Sequence, residues 1–155
     1  MKTIVQRVSR ARVLVDDATV GEIAHGALLL VGVQRGDTEA DADATAQKIA
    51  KLRFFPGATP MDRTLGDVGG GVLVVSQFTL AGAVAKGNRP SFTDAEDPTV
   101  AEALYLRVAE GLRAAGLPVA TGRFGAQMAV ELVNDGPVTL LVFARDGKVR
   151  HAAVE

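Results

Sequence analysis

A chain of 155 residues with 48% apolar composition favours one domain around one sizeable core and excludes wholesale disorder. The absence of cysteine excludes a disulfide framework, a thiolate nucleophile and a cysteine-based zinc site. A net charge of −1 argues against coating long nucleic-acid duplexes, but not against gripping one RNA end with a few local cations.

Residues 2–15, rich in Val and Ile, read as a long strand. Its alternation breaks near Ser9 to Arg12, where a bulge or bend is expected. Met1-Lys2-Thr3 leads straight into this pattern without a signal peptide, and the longest apolar runs fall far short of a membrane span, so a cytoplasmic protein is expected. Asp16-Asp17 turns the chain, residues 18–23 return as a hairpin partner, and His25-Gly26 turns it again into the buried run 27–33. Gly36-Asp37-Thr38 stops that run and opens a helix reaching about residue 52. Asp37 or Thr38 caps it, and Ala42, Ala46, Ile49 and Leu52 give it one weakly apolar face. Arg53-Phe54-Phe55 is short and extended ahead of Pro56, and residues 56–71 read as loop.

The stretch Val72-Leu73-Val74-Val75-Ser76-Gln77-Phe78-Thr79-Leu80 is the one around which the chain is organised. A short apolar run between Gly69-Gly70-Gly71 and the Gly- and Ala-rich segment 81–87 reads as a buried central strand. Ser76 to Thr79 then stand where it leaves the core, a position that holds polar groups rigidly. The plainer reading is that Ser76 and Gln77 only satisfy hydrogen bonds at a strand end. Residues 81–97 form a long loop without period, a class that is often functional. Asp97-Pro98 opens a second helix with Ala101, Leu104, Tyr105, Val108 and Leu112 as its buried stripe. Gly116 ends it, with Pro118 just beyond. Residues 119–123, 127–133 and 138–144 read as three further strands, the last two around an Asn-Asp-Gly-Pro turn. Residues 1–145 make the domain and 146–155 a loose polar tail. About seven strands and two helices, with strands often adjacent in sequence, predict an α+β fold of mainly antiparallel β-sheet layers.

Chemistry-bearing side chains are few. His25 in a Gly-flanked turn and His151 in the tail read as surface residues, so a conventional triad lacks a base, and no metal or cofactor is expected. The carboxylates Asp16, Asp17, Asp37, Asp41 and Asp43 fall at turns or on a helix surface, where capping and solubility account for them. Ser76 and Thr79 have no activating neighbour nearby in the chain. Arg7, Arg10 and Arg12 make one basic cluster and Lys86 with Arg89 another; solvated surface is the plainer reading for Arg10 and Arg12.

Five stretches, in order, resemble the D-aminoacyl-tRNA deacylase family over residues 1–144. They are Ile4-Val5-Gln6-Arg7-Val8, Ser76-Gln77-Phe78-Thr79-Leu80, Arg89-Pro90-Ser91-Phe92, Thr121-Gly122-Arg123-Phe124 and Asn134-Asp135-Gly136-Pro137-Val138-Thr139. The resemblance implies sheet layers with both helices packed on one side, and a homodimer with cross-subunit active sites. No metal site, no cofactor, and no DNA or membrane partner is expected. The partner it implies is the aminoacylated 3′ end of tRNA, whose D-aminoacyl or glycyl ester is hydrolysed. Such an ester is already reactive, so the protein needs mainly to position it and stabilise an oxyanion. The resemblance places the amides of Phe78 and Thr79 there, helped by Gln77. Ser76, Arg7, Arg89, Ser91, Phe92 and Asn134 are then expected at the substrate. Phe92 either stacks on a base or anchors its loop, and Phe78 serves either the site or the core. Gly136-Pro137, with a cis bond and inserted from the partner subunit, is implied to reject L substrates by a clash with main-chain carbonyls. A Cβ on Gly136 is expected to intrude on the substrate's α-carbon. Without the resemblance a trans turn would be expected, since X–Pro bonds are cis in about 5–6% of folded cases. The alternative to an enzyme is a non-catalytic binding module for tRNA ends or small D-amino compounds.

Overall fold

The structure is a computed structural model, and it describes residues 1–151. Strands β1 (Lys2–Val15), β2 (Ala18–Ile23) and β3 (Gly26–Gly32) precede helix α1 (Glu39–Lys51). Strand β4 (Gly71–Ser76) leads into a 3₁₀ turn (Phe78–Ala81) and helix α2 (Pro98–Ala114). Strands β5 (Val119–Thr121), β6 (Ala129–Arg145) and β7 (Lys148–Arg150) follow.

The strands form one seven-stranded sheet in the order β5-β4-β3-β1-β6-β7, with β2 also paired to β1. The α+β class and the two helices are as the sequence predicts; the mainly antiparallel pairing is not. β3–β4 and β4–β5 are parallel and the other pairs antiparallel, so the sheet is mixed. Each parallel pair is joined by a crossover that contains a helix, α1 and then α2, as parallel neighbours require.

β1 is the spine. Its first half pairs with β3 and its second half with β2, while β6 runs along nearly all of it. The expected bulge falls at residues 8–10, where Val8 and Arg10 oppose the consecutive Asn134 and Val133. Such a bulge sharpens local twist and helps curl the sheet over itself. β3 and β4 are therefore buried on both faces. Ala27, Leu29, Val31, Val72 and Val74 meet the helices through Ala42, Ile49, Tyr105 and Leu112. Leu28, Leu73 and Val75 meet the curled half through Val8, Val13 and Ile23. Strands buried on both faces read as continuous apolar runs, which accounts for the lack of alternation in these two.

Both helices pack on one face of the sheet. α1 is capped at Thr38, whose N–H and hydroxyl donate to Asp41 Oδ2 at 2.9 and 3.2 Å. α2 is capped by Asp97, whose Oδ1 accepts from Thr99 N–H at 3.0 Å, and its five predicted stripe residues are all buried. From that stripe the Tyr105 hydroxyl donates to the Val74 carbonyl at 3.0 Å, which also accepts from Gly122 N–H at 3.0 Å. A buried bond of this kind contributes about 1 kcal/mol. Here it ties α2, β4 and the end of β5 together just behind the polar end of β4.

Two C-terminal expectations are corrected. The Asn-Asp-Gly-Pro segment does not turn the chain: β6 is one strand of 17 residues that continues past it, because β1 pairs with it on both sides of the interruption. The loose tail begins instead as a hairpin. β7 pairs with β6, Val149 packs on the helix-side core, and Gly147 N–H donates to Asp41 Oδ1 at 2.8 Å. Residues 152–155 lie outside the described residues. No helix among the described residues is long and apolar enough to cross a membrane.

Candidate active site

The β3–β4 ladder stops at Val31 opposite Ser76, and Gln77 N–H makes one last bond to the Val31 carbonyl at 2.8 Å. Beyond it the chain satisfies itself locally: Leu80 N–H reaches Gln77 O at 3.2 Å and Gly82 N–H reaches Thr79 O at 2.9 Å. The segment read as strand to residue 80 is thus a tight turn from Phe78 onward. Phe78 and Thr79 open that turn, both exposed, and their N–H groups have no hydrogen-bond partner among the described residues. Gln77 Nε2 donates to Thr79 Oγ1, at 2.5 Å.

Of the two readings of Phe78, the core is excluded: the side chain is 55% exposed. It packs edge-on against Phe92, with centroids 5.3 Å and planes 71° apart. Ala83 and Ser91 exchange two backbone bonds of 2.8 and 2.9 Å, which narrows the long loop into a finger and delivers Phe92. Arg35 holds the loop's far end through its N–H to Asp94 O, 2.9 Å, and its Nε to Thr93 O, 2.6 Å. Gln77, Phe78, Thr79 and Phe92 are thereby brought together, and Arg89 and Ser91 lie exposed on the same finger. One residue that sequence reasoning did not nominate joins them. β5 pairs Thr121 with Val74 in parallel and ends there, so the exposed Arg123 leaves the sheet at the same end as Ser76. Only the parallel pairing reveals that position.

The second motif is an arch in β6. Gln6 opposes Thr139 and Val8 opposes Asn134, so two steps along β1 span five along β6. Residues 135–138 bow out. The Gly136–Pro137 bond is cis, and Gly136 has φ +131°, open to glycine at little cost. Asn134 Oδ1 accepts from Val138 N–H at 3.1 Å and Nδ2 donates to Thr139 Oγ1 at 3.0 Å. Arg7, 9% exposed, donates Nε to Asp135 O at 3.0 Å and Nη1 to Phe54 O at 2.9 Å. Expected at the substrate, it has two of its donors engaged beneath the arch by carbonyls, with the Asp135 carboxylate 3.8 Å from Nε as its counter-charge. The basic cluster of Arg7, Arg10 and Arg12 is divided accordingly, with Arg12 paired to Glu131 at 2.6 Å. A Cβ on Gly136 would lie 2.8 Å from Arg7 Nη2 and 2.9 Å from Val138 Cγ2. Glycine is therefore favoured there by its own chain, before any substrate is considered.

The two motifs do not meet within one chain. Ser76 is level with Val31, Thr3 and Val142 across the sheet, whereas Thr139 is level with Gln6, Leu28 and Leu73. With strands about 4.8 Å apart and residues about 3.3 Å apart along them, Gly136 and Ser76 are separated by on the order of 20 Å. A groove of about 410 Å³ between β1, β2 and β6, lined by Arg10, Arg12, Glu22 and Glu131 among others, contains neither motif. Among the described residues no group of His, Asp and Glu side chains is placed to hold a metal ion.

Residues 4–143 match the family model for D-Tyr-tRNA(Tyr) deacylase. A D-aminoacyl-tRNA deacylase of Paracoccus denitrificans is 55% identical over 147 residues, 94% of this chain and 99% of that one. Another, from Heliobacterium modesticaldum, is 53% identical over 149 residues, 96% of this chain and 99% of that one. Among solved structures, one of a c-Myc DNA unwinding element binding protein is 37% identical, with a TM-score of 0.87 over 94% of this chain and 99% of that chain. A match spanning both motifs, with relatives alike over nearly their full lengths, means that this chain belongs to the D-Tyr-tRNA(Tyr) deacylase family.

Proposed function

We propose that this protein hydrolyses the ester of D-aminoacyl-tRNA, and of glycyl-tRNA, at the end of β4, with a second copy supplying the Gly136-Pro137 arch. The observation that supports this most directly is the pair of N–H groups at Phe78 and Thr79, unengaged among the described residues. They are held at the end of a buried strand, where they suit the oxyanion of an attacked ester. Water adds to the ester carbonyl, the bond to the ribose oxygen breaks, and the proton passes to that oxygen. Free tRNA and the D-amino acid leave. The Gln77–Thr79 bond fixes the turn, Ser76 lies at the ribose, and Arg89, Ser91 and Phe92 border the terminal nucleotide, with Arg123 available to its phosphate.

The separation of about 20 Å within one chain supports a site that takes one motif from each of two copies. Val133 and Leu141, 41% and 50% exposed, flank the arch on β6. Leu141 is in register with Ile4, and Ile4 with Leu30. This apolar strip offers a self-complementary surface for a two-fold dimer. Arch carbonyls facing the substrate's α-carbon would clash with an L side chain, while a D side chain points away and glycine has none. The substrate puts the protein's work in the cytoplasm, with no membrane or DNA partner.

A second reading, a nucleic-acid-binding module without catalysis, is favoured by the likeness to a c-Myc DNA unwinding element binding protein. Incubation with D-tyrosyl-tRNA and L-tyrosyl-tRNA separates the two. Loss of the D ester with retention of the L ester is expected; a D ester that persists at micromolar protein would leave the binding module. Light scattering should give a dimer, and a monomer mass in active samples would end the shared-site account.

A further inference from the structure

We infer that Asn134, Thr139 and Gln6 form a clamp across the foot of the β6 arch that sets how strictly D and L substrates are distinguished. The inference rests on the reading that the arch selects the substrate. Asn134 was expected at the substrate, yet both ends of its amide are engaged within the arch. Oδ1 takes the Val138 N–H at 3.1 Å and Nδ2 gives a hydrogen to Thr139 Oγ1 at 3.0 Å. Gln6 Nε2 reaches the same Oγ1 from β1, at 3.4 Å. Gln6 and Thr139 are ladder partners, and Asn134 is the partner of Val8, so the three side chains join the points where the arch leaves and regains the sheet.

A backbone carbonyl cannot turn aside by changing rotamer, but four residues held only at their ends can swing as a unit. Arg7 fixes the first of them through the Asp135 carbonyl. The clamp fixes the return, through Val138 and Thr139. Thr139 is exposed and Asn134 half-buried, so water can satisfy the groups a broken clamp releases. Its loss should therefore show weakly in folding stability and strongly in where the carbonyls sit. Displacement by about 1 Å can cost a reaction about 100-fold, and the same displacement gives an L side chain room. Asn134, Thr139 and Gln6 are positioning residues in this account, and the ratio of D to L hydrolysis reports on them.

The test measures single-turnover hydrolysis of D- and L-tyrosyl-tRNA together with thermal unfolding. Thr139→Val keeps the shape and removes the shared oxygen, and should lower the D/L ratio by roughly fivefold or more, the worth of one hydrogen bond. Thr139→Ser should restore the ratio to within about twofold. Asn134→Ala should lower it as Thr139→Val does, and the double variant should fall no further than the larger single one, because a single clamp is lost once. Asn134→Asp keeps an acceptor for Val138 and lets the Thr139 hydroxyl donate to it, so its ratio should stay above that of Asn134→Ala even if Thr139→Val proves too unstable to assay. An unchanged ratio in Thr139→Val, equal losses in the Ser and Val variants, or equal losses in the Asp and Ala variants would each overturn the clamp. A wild-type protein inactive on both esters would instead overturn the functional reading beneath it.

Discussion

The end of β4 and the arch of β6 are both polar breaks in a strand ladder, and they dispose of their hydrogen-bonding groups in opposite ways. At the end of β4 the ladder runs out of partner, and the N–H groups of Phe78 and Thr79 have no hydrogen-bond partner among the described residues. At the arch the ladder resumes, and Arg7, Asn134 and Thr139 turn inward to hold the bowed main chain. A strand that simply stops leaves donors for a ligand. A strand that is interrupted and then resumes can present a fixed shape. The first suits chemistry and the second suits exclusion, and the proposed function needs both.

The sharpest way to break this contrast is to remove an open donor without touching its side-chain neighbours. Gln77 has φ −140° and ψ 76°, outside the helical region, and Phe78 starts the turn, so Phe78→Pro suits the backbone there. Against Phe78→Ala, which loses the same ring but keeps the N–H, the proline variant should be slower on D-tyrosyl-tRNA by about 10²–10³-fold. Equal rates would show that this amide does not act in the reaction. Gly136→Ala tests the opposite region. It forces φ +131° on an L residue and drives a Cβ to 2.8 Å from Arg7 Nη2. Displacement of the arch should cost about 100-fold in D hydrolysis while the folded protein still shows a cooperative melt, and wild-type kinetics would contradict the account. Thr79→Ala should fall by no more than about tenfold, since only a hydroxyl already bonded to Gln77 is removed. A loss near a million-fold, as for a true nucleophile, would put covalent chemistry at Thr79 and erase the contrast.

The smallest effect is a pH dependence confined to the arch-bearing strand. Burial works against ionisation of Asp41, but hydrogen bonds from Gly147 N–H and from the N–H and hydroxyl of Thr38 outweigh it, and its carboxyl lies below the ordinary aspartate value. A carboxyl whose pKa is lowered by folding stabilises the folded state fully above its ordinary value, and that contribution is lost as pH falls through the lowered one. Acid should therefore loosen the hairpin of β6 and β7 from α1 before it disturbs β4. Hydrogen exchange at Gly147 should accelerate with falling pH relative to Val74, and Asp41→Asn should remove most of that difference. Parallel acceleration at both amides would contradict the assignment.

What was legible in the sequence is mostly local. The α2 stripe from Ala101 to Leu112 and its Asp97-Pro98 start are visible because helical period and capping are properties of neighbouring residues. The strand run of β4 and its polar end are visible for the same reason. Less legible is whatever depends on a distant partner. Parallel pairing of β4 with β3 and β5 has no local mark, so Arg123 was not placed at the same sheet end as Ser76. Asp135-Gly136-Pro137 has the composition of a turn, and only β1, pairing on both sides, shows that the strand continues. Arg7 reads as a cation for the substrate until the carbonyls of Phe54 and Asp135 are brought over it. The five-motif resemblance found the family because order along a chain can be read without knowing where the motifs lie in space.

The distance between the two motifs also has a genetic consequence. In the proposed dimer, each catalytic turn works with the other copy's arch. A chain damaged at Phe78 still carries a sound arch, and a chain damaged at Gly136 still carries a sound turn. Co-expression of the two inactive chains should therefore restore activity through hybrid dimers that contain one intact site and one doubly damaged site, a rescue between alleles that no mixture of two Phe78 variants could provide.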